Sequence, residues 1–246
     1  MGISFGSNNA IGIYHGSTPA KRVYYGSTKV WPSIPSDMDF VYLANDFTSG
    51  GIPNKASSSD MGNYLVNGTI TKNGSGKDCY LSNGNSASNF LYINLTTARL
   101  TAMKALSSYY TFFVRAYQSS SGVGALFSWR YLDDNAYVYM IRCINNKVQI
   151  HNTSGVVYTL TMSTSKVFKI TVNGSNAVVS DMEGTTQTAS VSSSRNMGTR
   201  MTSFNAHGPS ATTEAVLDRL YGVAGIARQT TAYEDTVIRD LLLTQD

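Results

Sequence analysis

Tyr110-Thr111-Phe112-Phe113-Val114-Arg115-Ala116-Tyr117 is the stretch that decides the fold class. Successive side chains of an extended chain point to opposite sides. Phe112, Val114 and Ala116 therefore share one face, and Thr111, Phe113, Arg115 and Tyr117 share the other. Large groups on both faces predict a central strand covered on both sides. Downstream, residues 125–131 and 136–144 read as the next pair of strands, joined by the turn-prone Asp133-Asp134-Asn135. Residues 147–151 and 156–162 continue the meander through Asn152-Thr153-Ser154-Gly155. Residues 166–172 and 177–182 flank Asn173-Gly174-Ser175-Asn176, where Asn-Gly is a strong hairpin signal. Residues 217–227 read as a long strand. Thr230 or Thr231 can then cap a short helix with Val237, Ile238, Leu241 and Leu242 along one side. Many short strands and no strand–helix alternation predict an all-β fold, an antiparallel β-sandwich with a short C-terminal helix.

Working outward toward the N-terminus, Ile13-Tyr14-His15-Gly16-Ser17-Thr18 recurs ten residues later as Val23-Tyr24-Tyr25-Gly26-Ser27-Thr28. Each copy places an aromatic before Gly-Ser-Thr, where glycine admits positive φ and the hydroxyls can bond the turn backbone. Lys29-Val30-Trp31-Pro32 closes the segment, and Pro32 and Pro35 mark a stiff exit. Residues 1–36 thus form a small N-terminal β module, too short to hold a core of its own, and 37–246 form the sandwich. Tyr14, Tyr24, Tyr25 and Trp31 are the candidate attachment residues of the module, because a short strand with open edges gains stability by pairing with a partner chain.

The composition agrees with a strand-rich, turn-rich chain. Of 246 residues, 42% are hydrophobic and only 14% charged, against roughly 25% charged in an average globular protein; 21 Gly and 16 Tyr help fill the shortfall. Nineteen basic and 15 acidic residues leave a formal charge of +4, and apart from the adjacent Lys21-Arg22 the basic residues are scattered singly, so no nucleic-acid footprint is expected. No basic, apolar leader opens the chain and no run approaches the ~18 apolar residues of a membrane span, so neither secretion nor membrane insertion is expected. Cys79 and Cys143 stand far apart with no CxxC partner, which predicts two reduced thiols, no structural zinc and no metal or other cofactor.

The order of these features resembles a concanavalin A-like, laminin-G-like jelly roll over about residues 38–245. Phe40-Val41-Tyr42-Leu43 resembles its opening strand, Gly76-Lys77-Asp78-Cys79-Tyr80-Leu81 a following strand and Tyr110 to Ala116 its central strand. Lys166-Val167-Phe168-Lys169-Ile170-Thr171-Val172-Asn173-Gly174 resembles the late hairpin, and Asp218-Arg219-Leu220-Tyr221-Gly222-Val223-Ala224 with the helix after it resembles the closing elements. That family usually carries a Trp and an acidic residue where this chain has Val167 and Leu220, so its calcium site is not expected here. Residues 11–32 are similar to N-terminal segments of phage and prophage minor structural proteins. This resemblance implies a virion protein assembled in the host cytoplasm, with other phage structural proteins as partners; because repeated copies on a particle give avidity, a homo-oligomer is expected as well.

For chemistry, a glycosidase of this class needs two carboxylates on one sheet face. Asp133-Asp134 lies in a turn, and Asp37, Asp39 and Asp46 flank the first strand without suitable spacing. His15, His151 and His207 are isolated, and no Gly-x-Ser-x-Gly elbow occurs. Binding rather than catalysis is expected, with a glycan-active enzyme or a free-standing carbohydrate-binding protein as the alternatives. Flat rings beside polar groups suit a sugar, and Trp129, Tyr131, Tyr137, Tyr139, Arg142 and His151 lie on consecutive strands able to offer such a surface. Their competing role is cross-strand packing.

Overall fold

The computed structural model describes residues 14–15, 18–19, 23–25, 28–31, 34–56, 61–84, 86, 88–94, 109–118, 123–131, 137–144, 147–152, 155–156, 160–161, 163, 165–173, 176–190, 197–204 and 218–245. Within 14–31, 123–144, 149–156, 161, 173, 189–190 and 197–202 it describes the backbone alone. The chain forms two compact units, Met1–Ile34 and Pro35–Asp246.

In the first unit, β1 (Tyr14–His15) pairs with β2 (Thr18–Pro19), and β3 (Val23–Tyr25) pairs with β4 (Thr28–Trp31). Register partners His15 with Thr18 and Tyr25 with Thr28 close one hairpin on each copy of the sequence repeat. The repeat is thus a repeat of hairpins.

The second unit begins with β5 (Phe40–Leu43), β6 (Leu65–Asn67), β7 (Thr71–Asn73), β8 (Tyr80–Ser82) and β9 (Phe90–Asn94). The long strands follow: β10 (Tyr110–Tyr117), β11 (Val123–Tyr131), β12 (Tyr137–Ile144) and β13 (Lys147–Asn152). After β14 (Gly155–Val156) and β15 (Leu160–Thr161) come β16 (Phe168–Asn173), β17 (Asn176–Ser180), β18 (Thr186–Ser190), β19 (Met197–Phe204) and β20 (Arg219–Ile226). Helix α1 (Ala232–Thr244) ends the described chain.

All described strand pairs are antiparallel, and those of this unit form two eight-stranded sheets. One runs β18-β17-β16-β10-β20-β8-β7 with β5 also paired to β20; the other runs β14-β13-β12-β11-β19-β9-β6 with β15 paired to β13. A single core cluster draws on both, with Phe40, Phe112, Val114, Phe168 and Ile170 from the first and Phe90, Leu91, Ile93, Val148 and Phe204 from the second. The two sheets therefore pack face to face as a sandwich. Each fully buried Phe or Ile contributes roughly 1.5–3 kcal/mol. Polar atoms in this core are met: the Tyr42 hydroxyl donates to the Gly62 carbonyl at 2.5 Å, and the Tyr64 hydroxyl is hydrogen-bonded to Ser203 Oγ.

The octet at 110–117 behaves as its pattern predicts. As β10 it lies between β16 and β20, with every residue but Tyr117 buried. Phe112, Val114 and Ala116 face the sandwich core, while Thr111, Phe113 and Arg115 serve a second buried layer on the outer side of the sheet. Val167 and Leu220, which replace the Trp and the acidic residue of the laminin-G-like pattern, are both buried at 1% exposure.

Candidate functional site

Helix α1 forms the outer layer. It packs against β10 and β20, and its apolar stripe of Val237, Ile238, Leu241 and Leu242 is buried there. Gly222 permits the close approach. A Cβ at that position would stand 2.8 Å from Leu242 Cδ2 and 2.9 Å from the Tyr42 carbonyl oxygen.

Both ends of the helix are tied down by arginine. At the N-terminus, Thr231 and Glu234 form a reciprocal capping box, in which Glu234 N donates to Thr231 Oγ1 and Thr231 N donates to Glu234 Oε2. Arg228 clamps this corner, donating to Asp37 at 2.6 and 2.8 Å and to Glu234 at 2.7 and 2.9 Å. The Arg228 bond holds the Glu234 carboxyl at about 2 against the opposing effect of burial, and it lowers Asp37 as well. At the C-terminus, Arg115 Nη1 donates to the carbonyls of Lys77, Leu242 and Leu243 at 2.9, 3.1 and 3.0 Å. Its guanidinium also lies 4.1 Å from the centre of the Tyr221 ring. Burial pulls the Arg115 pKa down, yet its partners satisfy the cation.

Because α1 sits over β10 and β20, the outer face of β16, β17 and β18 continues past the helix as a shelf. Strand alternation supplies that shelf with polar groups. Phe168, Ile170 and Val172 turn inward on β16, as do Ala177 and Val179 on β17, so Lys169 and Thr171 and then Asn176, Val178 and Ser180 face outward. The register sets Lys169 opposite Ser180 and Ser180 opposite Thr186, while Thr171 stands between Thr111 and Val178.

Where shelf and helix meet, a cleft of about 580 Å³ opens, within the roughly 300–1,000 Å³ that suits a small ligand. The helix contributes Ala232, Asp235, Thr236 and Arg239, whose i, i+3, i+4, i+7 spacing makes one stripe. Tyr109 and Gln229 close one side and Met182 the other. Lys169 Nζ meets Asp235 Oδ2 across the cleft at 2.6 Å, and Asp235 Oδ1 accepts from Thr230 Oγ1 at 2.5 Å. In the turn on either side of Met182, Asp181 and Glu183 pair with Lys166, whose Nζ lies 2.7 Å from Asp181 and 3.2 Å from Glu183. Burial raises the Asp181 carboxyl, but the Lys166 bond and the backbone N–H groups of Glu183 and Thr185 outweigh it and hold the group at about 2. The lining therefore combines an aromatic ring, hydroxyls, amides and a matched ion pair, the groups that hydrogen-bond and stack against a polyhydroxylated ligand.

The residues singled out from sequence lie elsewhere. Trp129 and Tyr131 are on β11, Tyr137, Tyr139 and Arg142 on β12, and His151 on β13, all in the opposite sheet from the cleft. Their side chains fall outside the described residues. The backbone register sets Trp129 opposite Tyr139, and His151 opposite Met140, a position of the same parity as Arg142. Trp129 and Tyr139 thus share one face by register, while Arg142 and His151 share the other. Tyr137 opposes Arg130 across an irregularity in the ladder, and Tyr131 opposes Met197. The attachment candidates Tyr14, Tyr24, Tyr25 and Trp31 lie on β1, β3 and β4, and their side chains too are outside the described residues. No group of three or more metal-ligating side chains occurs among the described residues.

No protein-family model and no curated protein matches the sequence. Solved structures do match the fold. The chain is similar to a botulinum neurotoxin serotype D/C binding domain, with a TM-score of 0.60 at 12% identity, over 85% of this chain and 53% of that one. It is likewise similar to a botulinum neurotoxin DC binding domain in complex with SialylT (TM-score 0.57, 12% identity, 85% of this chain and 52% of that one). A third, a DC binding domain in complex with rat synaptotagmin II, has a TM-score of 0.53 at 11% identity, over 85% of this chain and 52% of that one. The chain spans about half the length of the binding domains it matches. At this identity the likeness establishes the fold alone, an antiparallel β-sandwich with one C-terminal helix.

Proposed function

We propose that this protein is a carbohydrate-binding module and that the cleft between α1 and the β16–β18 shelf is its binding site. The observation that carries the reading is the lining itself: Tyr109 beside Thr171, Asn176, Ser180 and Thr236 on a rigid sheet and a helix anchored at both ends. A sugar needs an apolar ring face together with both donors and acceptors, and this cleft offers all three without rearrangement. The fold is compatible, since structural neighbours are binding domains, one of them in complex with SialylT and another with rat synaptotagmin II.

Binding is favoured over catalysis by the lining: among its described residues Asp235 is the one carboxylate, and it is already paired with Lys169, where a glycosidase needs two carboxyls flanking the scissile bond. The setting we propose is a phage virion, assembled in the host cytoplasm, in which residues 1–36 join the module to other subunits. This part rests on the resemblance of residues 11–32 alone. Many copies on a particle would make even millimolar affinity effective through avidity.

The test is a glycan array probed with the whole chain, followed by calorimetry of the strongest ligands against Tyr109→Ala and Asn176→Ala. Retention of oligosaccharides by the parent and a loss of about tenfold or more in each variant support the reading. Unchanged binding in both variants, with folding intact by circular dichroism, refutes the cleft as the site. For the virion setting, mass spectrometry of purified particles decides: stoichiometric recovery of the chain supports it and absence rejects it.

A further inference from the structure

The charges around the cleft carry a further statement about its ligand, one that rests on the carbohydrate reading. Each cation at the cleft is already met by a carboxylate. Lys169 is paired with Asp235 at 2.6 Å, and the two side chains are only 17% and 22% exposed. Arg239 directs Nε and Nη2 to Oδ1 of Asp240 at 3.2 and 3.0 Å. Outside the lining, Lys166 is likewise paired with Asp181 and Glu183. The matched pairs at the cleft cancel.

A carboxylate, sulfate or phosphate entering such a cleft would lose water and, among the described residues, meet no unpaired cation. A neutral sugar meets no such penalty. An ammonium has three N–H donors, of which Asp235 takes one from Lys169. Thr171 and Ser180 both donate and accept, Thr236 accepts while its proton goes to the Ala232 carbonyl, and Asn176 and Gln229 present amides of both kinds. Sugar hydroxyls, which are themselves donors and acceptors, match this mixture.

We propose that the cleft selects neutral, hydroxyl-rich oligosaccharides and discriminates against their acidic counterparts, with the Lys169–Asp235 pair as the specificity element. The pair works by occupying Lys169, the more buried of the two lining cations, so that only its spare donors remain for the ligand.

The experiment prints each neutral oligosaccharide beside the same glycan carrying one terminal carboxylate or sulfate, and probes the array with the whole chain at low salt. The neutral member is expected to be retained about tenfold more strongly than its acidic partner. Asp235→Asn, which releases Lys169, and Asp240→Asn, which releases Arg239 from an exposed position without touching the buried stripe of the helix, are each expected to shrink that ratio and raise retention of the acidic member. Equal or stronger retention of acidic glycans by the parent chain overturns this inference while leaving the carbohydrate reading standing. Absence of retention for every glycan overturns the carbohydrate reading and this inference with it. An unchanged ratio in both variants, with both folded, overturns the assignment of specificity to the ion pairs.

Discussion

Replacing Arg115 by Met removes the guanidinium and keeps most of the stem length, so its cost measures what the cation does at the end of the helix. Arg115 is 6% exposed and its Nη1 serves three carbonyls. The Lys77 carbonyl lies in a partly exposed turn, where water can take the place of the arginine. The Leu242 carbonyl is buried, and leaving it without a donor costs about 1–3 kcal/mol. Loss of the cation stacked over Tyr221 adds about 0.5–2 kcal/mol. Against this, Met carries no charge to desolvate, so a net loss of about 2–4 kcal/mol is expected. At about 2–4 °C per kcal/mol for a domain of this size, the melting temperature followed by circular dichroism should fall by about 5–15 °C. Arg115→Lys keeps the charge but a single ammonium cannot both stack on Tyr221 and span three carbonyls, so it should fall between the two. Hydrogen exchange should show the amides of 238–244 losing protection first. A Met variant melting within 1 °C of the parent, with helix protection unchanged, would refute the claim that this arginine anchors α1.

Other perturbations have equally definite outcomes. Glu234, Asp37 and Asp181 all have folded-state pKa values below their ordinary ones, so their stabilisation is present above the usual carboxylate range and is lost as pH falls through the lowered values, about 2 for Glu234 and Asp181. Thermal melts should therefore be flat from pH 7 to 5 and fall steeply below pH 4, and Glu234→Gln should flatten that acid limb. Gly222→Ala places a methyl 2.8 Å from Leu242 Cδ2 and 2.9 Å from a backbone oxygen, and should cost about 1–3 kcal/mol in urea denaturation. Thr231→Ala removes the side-chain half of the capping box and should cost about 1 kcal/mol by the same assay.

The fold was legible wherever burial imposes a period on the sequence. The octet at 110–117 alternates because both of its faces are covered, and the Val237, Ile238, Leu241, Leu242 stripe follows the helical repeat because it lies on the sheet. The capping choice between Thr230 and Thr231 could not be made from one residue; Glu234, three positions after Thr231, makes it through the capping box. Thr186–Ser190 and Met197–Phe204 left no apolar alternation to find, since the sequence TQTAS on the edge strand is polar but for Ala189 and MGTRMTSF interleaves Gly, Thr and Arg with its apolar residues.

The site was far less legible, for a physical reason. A search for sugar-stacking rings leads to Trp129 and Tyr139, but rings are also what strands use for pairing, and their number near 129–139 outweighs the single Tyr109. The cleft is lined by Lys169, Thr171, Asn176, Ser180 and Thr236, residues that read as ordinary solvent-facing positions. Two local signals were present: the outward polar positions of 168–180 and the 232, 235, 236, 239 stripe beside the buried one. Only the packing of α1 over β10 and β20, leaving β16–β18 open, joins them into one cavity.

Methyl-resolved NMR during titration with a retained oligosaccharide tests the central claim most directly. Met182 and Ala232 line the cleft, whereas Met140, Met197 and Met201 lie on β12 and β19 of the other sheet. Saturable shifts at Met182 and Ala232, with the β12 and β19 methyls unmoved, are predicted. Shifts confined to Met140, Met197 and Met201 would contradict the account and return the site to the strands that carry Trp129 and Tyr139.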